Sequence, residues 1–478
     1  MRLFSFLYIL LVLFSSLEGS AQTKRWSLRQ CVDTAIQNNL TLQQSQVQVE
    51  LNKVAHHQSR NNLLPAITGS ASQNFNNGRS LNPVSYQYTT GNIRTNNFSV
   101  TANLLLFNGF QNQNTIKQNK LAFDASYYDV ENTKNDITIQ VINAYLQILF
   151  SQEQLRNSQN QVDATASQLE QTQHFVNVGK KAEGDLLQLR SQLASDKLTL
   201  VNVKGQLRTN KLALQQYMVI PTSGDFEIEP YPSAEPGLVN MESSSEEVYE
   251  KALSWQPSIK SYRLQRQSAE YGLKVAKGSF SPRLNVSGTL NTNYSSASKL
   301  TDVNYIRSNQ VVGYLQNDST QVVVSNANTP YTVGRDYPFS QQLSNNLSRS
   351  ISFTLTVPIL NGLQAWNNVQ RQKINVENAQ LSEKITEVNL CKNVEQSFVD
   401  VENAVAKRDA TKEQLDAATR SNDNLNNLFL SGKATTTDVL VEKTKFVNAQ
   451  SQYLQAKYDL IFKWKVLDYY RGIPLNLE

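Results

Sequence analysis

The side chains best able to do chemistry are few and scattered. His56 and His57 are adjacent, so on a helix they point apart, and His174 lies far away in sequence; this is no spacing for a metal ligand set. The two cysteines, Cys31 and Cys391, supply no disulfide framework, and each reads as a buried free thiol. No phosphate-binding loop, dinucleotide fingerprint or nucleophile elbow occurs. The chain therefore reads as lacking a catalytic centre, and any energy for work must come from a partner. What remains is a pair of carboxylates at matching places, Asp185 and Asp438, each a few residues after a glycine, Gly179 and Gly432. The spacing reads as a helix ending on a left-handed glycine and a returning helix whose positive end meets a carboxylate.

The elements that must position these groups come from a duplication. Ala35 and Pro65 match Ala252 and Pro282 at one shift (252 − 35 = 217). Asn108-Gly109, Gly179, Asp185 and Ile220-Pro221 match Asn361-Gly362, Gly432, Asp438 and Ile473-Pro474 at another (361 − 108 = 253). The second copy thus carries 36 more residues (253 − 217 = 36) between Pro282 and Asn361. Such self-similarity predicts tandem repeats. Repeat 1 spans 22–221 and repeat 2 spans 246–478, with a proline-bearing linker over 222–245.

Within each repeat the expected order is helix, strand, strand, long helix, shorter helix. Helices are expected over 27–62, 111–178 and 182–218, and again over 246–279, 363–431 and 434–471. Stretches 111–178 and 363–431 contain neither Gly nor Pro, and at about 1.5 Å per residue each reaches roughly 100 Å. Leu186, Leu193, Leu200, Leu207 and Leu214 step by seven, as do Val439, Phe446, Tyr453, Leu460 and Leu467, and also Val141, Ile148, Leu155, Val162, Leu169 and Val176. Sustained heptads predict helices packed as coiled coils. In 363–431 the ladder is looser: Val394, Val401, Leu415 and Phe429 keep it, while Arg408 and Asn422 break it and read as solvated positions, the alternatives being a place on a solvent-filled lumen or a register-setting role.

Strands are expected over 66–76, 97–107, 283–294 and 348–360, where apolar residues such as Phe98, Val100, Ala102 and Leu104 alternate with Ser99, Thr101 and Asn103. Each has about the 9–11 residues of a tilted membrane-spanning strand. Polar segments 76–97 and 295–347 read as the extracellular loops between them. Residues 1–21 carry Arg2, an apolar run from Leu3 to Phe14 and the small residues Gly19-Ser20-Ala21, the pattern of a cleaved secretory signal. Cys31 is too far downstream of that cut to be a lipid anchor. Beyond the signal, no segment approaches the ~18 apolar residues of a spanning helix, and mean hydropathy is −0.44. Any crossing must use strands, and strands in lipid must close on themselves. Four strands are too few, so several copies must contribute; two fill the barrel interior with side chains, and three or more leave a lumen. The net charge of +5 is spread along the chain, which argues against nucleic acid.

The duplicated Leu64-Pro65 and Ser281-Pro282, the exit Val357-Pro358-Ile359-Leu360-Asn361-Gly362, and Val178-Gly179 through Asp185-Leu186-Leu187 with its copy Ser431-Gly432 through Asp438-Val439-Leu440 resemble the TolC family of outer-membrane efflux proteins over essentially the whole mature chain. The resemblance implies a homotrimer in the Gram-negative outer membrane, with a twelve-stranded transmembrane β-barrel continued by a coiled-coil α-helical barrel in the periplasm. It implies a passive exit duct without cofactors, served by a periplasmic adaptor (membrane fusion) protein and an inner-membrane RND or ABC transporter. The adaptor is expected at Val178, Gly179, Lys180, Lys181 and Ala182 and at Ser431, Gly432, Lys433 and Ala434, where three lysines suit an acidic surface. Asp185, Asp438 or Glu442, tripled by symmetry, are the expected cation-favouring constriction; Val441 stands where some members carry a second acid, which weakens that ring or displaces it to Glu442. The rival reading is a non-conducting, outer-membrane-anchored coiled-coil protein of structural or adhesive role.

Overall fold

The computed structural model describes residues 25–82, 86–222, 225–230 and 244–473. The signal segment, most of the linker and Pro474 lie outside the described residues. The chain divides into two units, one of residues 1–54, 120–268 and 375–478 and one of 55–119 and 269–374.

In the first unit the two repeats begin alike. Helix α1 (Leu28–Asn38) opens with a capping box between Ser27 and Gln30, and α5 (Ser245–Trp255) with one between Ser244 and Glu247. Both helices also stop alike. The Asn39 N–H reaches the Ala35 carbonyl, and the Asn39 carboxamide oxygen accepts the Leu42 N–H at 3.0 Å, ending α1 and starting α2 (Leu40–Asn61). The Gln256 N–H reaches Ala252 in the same way, and Pro257 opens α6 (Pro257–Gly278), where its missing N–H costs nothing. The single helices expected over 27–62 and 246–279 are therefore each two, broken at equivalent residues (256 − 39 = 217). The apolar pattern runs through both breaks, which hides them.

The long helices are α3 (Gln111–Asn177) and α8 (Gln364–Leu430), and the returning ones α4 (Glu183–Tyr217) and α9 (Thr436–Arg471). The heptad residues Val141, Ile148, Leu214, Val394, Val401 and Leu467 are fully buried. Arg408, expected in solvent, is instead buried, its guanidinium 2.6 Å from Asp409; the ion pair lets a charge occupy a seam position. Cys31 is buried as expected, whereas Cys391 is half-buried. The short strands β1 (Arg25–Trp26) and β4 (Glu227–Ile228) pair in parallel and join the linker to the start of the chain.

The second unit holds a four-stranded antiparallel sheet of β2 (Ala66–Leu81), β3 (Tyr88–Phe107), β5 (Arg283–Ser295) and β8 (Ser348–Thr356), in the order β2-β3-β5-β8. Segment 76–97, expected as a loop, is mostly strand: the ladder continues to Leu81 opposite Tyr88. The apolar alternation stops near Phe75 because the further residues are polar on both faces, and the backbone pairs regardless. Segment 295–347, also expected as a loop, contains a separate hairpin, β6 (Lys299–Leu315) with β7 (Asp318–Asp336), and the short helix α7 (Phe339–Asn345). The last strand ends at Thr356 and not at 360, because Pro358 lacks a donor and holds Val357 out of the ladder.

Candidate channel wall and helix-hairpin tips

Pairing brings the strands' side chains into rows. Ile67, Ala102, Gly288 and Ile351 lie side by side across the four strands, as do Leu104, Val286 and Phe353. On the opposite face Thr68, Thr101, Thr289 and Ser350 form one row, and Ser70, Ser99, Asn291 and Ser348 another. Ser70 and Ser99 share a hydrogen bond of 2.8 Å. One face is thus apolar and the other carries hydroxyls and amides, the alternation of a wall between lipid and water. The apolar face is bare: Ile351, Phe353 and Leu355 are 64–75% exposed. Strands β2 and β8 are the sheet's edges.

A tight passage joins this sheet to the helices. Gly109 sits at φ +67°, and an added Cβ there would lie 2.6 Å from the Gly278 carbonyl, so only glycine fits. The equivalent exit uses Gly362, and each glycine is followed by a non-glycine at positive φ, Phe110 and Leu363.

At the far end of α3 and α8, both turns close identically. The Gly179 N–H reaches Val176 and the Lys180 N–H reaches Phe175; the Gly432 N–H reaches Phe429 and the Lys433 N–H reaches Leu428. These are Schellman closures around glycines at φ +73° and +74°. Val178, Lys180, Ala182, Ser431 and Lys433 are exposed, whereas Lys181 and Ala434 are half-buried. Lys181 turns inward: its ammonium lies 3.3 Å from the centre of the Phe429 ring, makes no hydrogen bond, and has a pKa lowered by burial, partly restored by Asp185. A second link between the hairpins is the Thr437 hydroxyl, donating to Gln188 at 3.3 Å.

The duplicated aspartates are used differently. Asp438 completes a capping box with Thr435, accepting the Thr435 N–H at 3.0 Å and its hydroxyl at 2.6 Å, and these bonds hold its carboxyl below the usual range. Asp185 occupies the same position in α4, but Ala182 has no hydroxyl to exchange and no side-chain cap forms. Glu442 takes bonds from Ser421 and from Lys445 at 3.1 Å, which lower its pKa.

A neighbouring feature escaped the sequence reading. Three residues after the rungs Ile148, Leu155, Val162 and Leu169 of the α3 ladder stands a hydroxyl: Ser151, Ser158, Thr165 and Thr172. Ser151, Thr165 and Thr172 are buried. The Asn210 amide donates to Ser151 at 2.7 Å. Thr165 accepts Lys443 Nζ at 2.7 Å and donates to Asp196, which also takes the Gln192 amide at 2.8 Å. Burial lowers the Lys443 pKa, and Asp196 partly restores it. The cluster joins α3, α4 and α9 beside a groove of about 530 Å³ lined by Asn157, Gln161, Gln168, Asn422, Asn426 and Phe429, among others. Among the described residues no group of His, Cys, Asp and Glu is arranged to hold a metal, and no helix is long and apolar enough to cross a membrane.

A two-faced strand sheet in one chain with four long coiled-coil helices defines the TolC-like mixed α/β fold of outer-membrane channels. A family profile described as outer membrane efflux protein matches residues 31–218 and 248–468. The chain belongs to that family: it is a non-enzymatic outer-membrane efflux channel that extends into the periplasm. It is 20% identical over 449 residues to the outer membrane efflux protein BepC of Brucella suis, covering 93% of this chain and 86% of that one. Its fold is similar to the outer-membrane protein VceC of Vibrio cholerae, at a TM-score of 0.73 and 14% identity over 93% of this chain and 96% of that one. It is likewise similar to the CmeC outer membrane channel of Campylobacter jejuni, at a TM-score of 0.71 and 17% identity over 95% and 90% of the two chains.

Proposed function

We propose that three copies close their four-stranded sheets into one twelve-stranded barrel and act as the passive exit duct of a tripartite efflux pump or type I secretion system. The observation that carries this is the two-faced sheet with open edges. In lipid the unpaired backbone groups of β2 and β8 would each cost several kcal/mol, and a neighbouring copy's sheet satisfies them. Eight strands fill their own interior, whereas twelve leave a lumen lined by the Thr, Ser and Asn rows.

The equivalent caps, breaks and glycine turns support a tandem duplication, which gives each chain two hairpin tips. We assign Val178, Gly179, Lys180 and Ala182 with Ser431, Gly432, Lys433 and Ala434 as the surface that meets a periplasmic adaptor, which in turn couples to an inner-membrane RND or ABC transporter. Lys180 and Lys433 carry its positive charge; Lys181, turned onto Phe429, holds the two tips together. Asp185, free of a capping role, is the carboxylate we place at the cation-favouring constriction, ahead of Asp438 and Glu442.

The test is extraction from outer membranes in mild detergent and single-particle electron microscopy. A three-fold particle with a barrel and a hollow stalk is the expected image. A monomer, or a stalk with no lumen, would overturn the reading in favour of a non-conducting anchored protein.

A further inference from the structure

The insertion that distinguishes the second repeat is not a loop but a ribbon. Its strands run from Lys299 to Leu315 and from Asp318 to Asp336 and pair only with each other. Seventeen residues extend about 55 Å. The ribbon leaves the sheet at the end remote from the helices, since β5 runs from Arg283 beside α6 to Ser295 and β6 begins four residues later.

Its root is fixed. Gln342, 1% exposed, accepts the Ser295 N–H at 2.9 Å and donates to the Ser295 and Tyr337 carbonyls. Asn82, equally buried, bonds the Ser298 hydroxyl at 3.2 Å, and Phe339 packs against Tyr294 and Phe98. Ion pairs Lys299–Asp336 and Arg335–Asp302 close the base.

Its far end is bare and apolar. Val311, Val312, Tyr314, Leu315, Val322 and Val323 surround the Gln316-Asn317 turn and are each at least 42% exposed. Residues 308–334 carry one charged side chain, Asp318. A lone two-stranded ribbon is marginal in water, its edges are open, and an apolar patch with Asp318 as its single charge needs a cover. An anionic lipid surface would call for lysines and arginines, and this stretch has none. Uncharged Val, Gln, Asn, Ser and Thr strands suit a second copy of themselves.

We propose that the β6–β7 ribbons of the three chains pack on one another, apolar tip to apolar tip, as a six-stranded cap over the outer mouth. The proposal rests on the trimeric duct above: rooted ribbons around one three-fold axis are brought together by the barrel contact itself. Six strands are fewer than the eight whose interior side chains fill completely, so the cap leaves no lumen and must part for cargo to leave.

Val312→Cys and Val324→Cys, each in a full-length chain carrying Cys31→Ala and Cys391→Ala, test the contact by mild oxidation in membranes. Covalent dimers between chains, lost on reduction, and slow labelling by an external maleimide are the expected results. Trimers that label rapidly without cross-linking overturn the cap and leave the duct intact; slow labelling without cross-linking means another molecule covers the tip and overturns it equally. Absence of trimers overturns both. Replacing 300–335 by a short Gly-Ser link should keep the trimer and raise its conductance in planar bilayers, and unchanged conductance would overturn the closure.

Discussion

The Lys181 ammonium rests 3.3 Å from the centre of the Phe429 ring, so a residue of the first hairpin turn is seated on the last turn of the second long helix. A cation–π contact at such a half-buried site is worth about 1 kcal/mol. Lys181→Met and Phe429→Leu should therefore loosen the tips, read as faster limited proteolysis at Val178–Ala182 and Ser431–Ala434, while the barrel stays intact. Burial lowers the folded Lys181 pKa below the ordinary 10.5. Between those two values the unfolded chain holds more protons, so this residue's contribution makes stability rise with pH through that window. Lys181→Met should flatten that slope; an unchanged slope would mean the lysine is solvated.

Asp438 and Asp185 occupy equivalent helix positions but differ in occupation. Thr435→Ala should cost about 1 kcal/mol of local helix stability and leave ion selectivity alone. Asp185→Asn should reduce cation preference, measured as a shift of reversal potential across a salt gradient in planar bilayers. Asp438→Asn should shift it less, and the reverse order would remove Asp185 from the constriction. Because Thr435 holds the folded Asp438 pKa below 3.8, its stabilisation is fully present above that value and is lost as pH falls through the folded pKa.

Thr165 bridges Lys443 and Asp196 inside the coiled coil. Thr165→Val removes the bridge without removing volume and leaves both partners buried with one bond fewer. The expected loss is about 1–3 kcal/mol, read as a lower melting temperature of the detergent-extracted protein. Lys443→Met alone should also destabilise. Lys443→Met with Asp196→Leu should recover part of the loss, because a buried charge left without its partner costs more than removing both. Simple additivity of the two changes would show that Lys443 and Asp196 do not interact.

Much of this was legible in the sequence because each signal had one physical cause. Gly179 and Gly432 marked the turns because only a left-handed residue closes a Schellman motif, and Ile351, Phe353 and Leu355 marked a strand because one face avoids water. The rest was hidden where a signal had two causes or none. Asn39 ends one helix and begins the next while the apolar stripe continues past it, and Pro257 is compatible with a helix at its first position. Ribbon 299–336 lacks alternation because both its faces are open. The hydroxyl ladder Ser151, Ser158, Thr165 and Thr172 keeps heptad spacing but is invisible to a search for apolar rungs. Nothing in the sequence distinguishes Lys181 from Lys180; that difference exists only once Phe429 is in place.

Tyr145 ties the start of the chain to the linker. Its hydroxyl donates to the Glu229 carbonyl at 2.6 Å and contacts the Trp26 carbonyl at 3.2 Å, while Trp26 also accepts the Glu229 N–H at 2.9 Å. Tyr145→Phe takes one donor from the Trp26 carbonyl and the side-chain donor from Glu229, a loss of about 1–3 kcal/mol. Cys31 belongs to the same core, and burial pushes its thiol up to about 12, so in the folded protein it should resist alkylation at pH 8 and react only through opening. Each 1.4 kcal/mol removed from that opening speeds labelling about tenfold. Tyr145→Phe should accelerate Cys31 alkylation by about that factor or more, scored by mass spectrometry of the Cys31 peptide, with no change at Cys391. Equal rates in the two proteins would show that the β1–β4 pair holds without its tyrosine and that packing alone closes this end of the core.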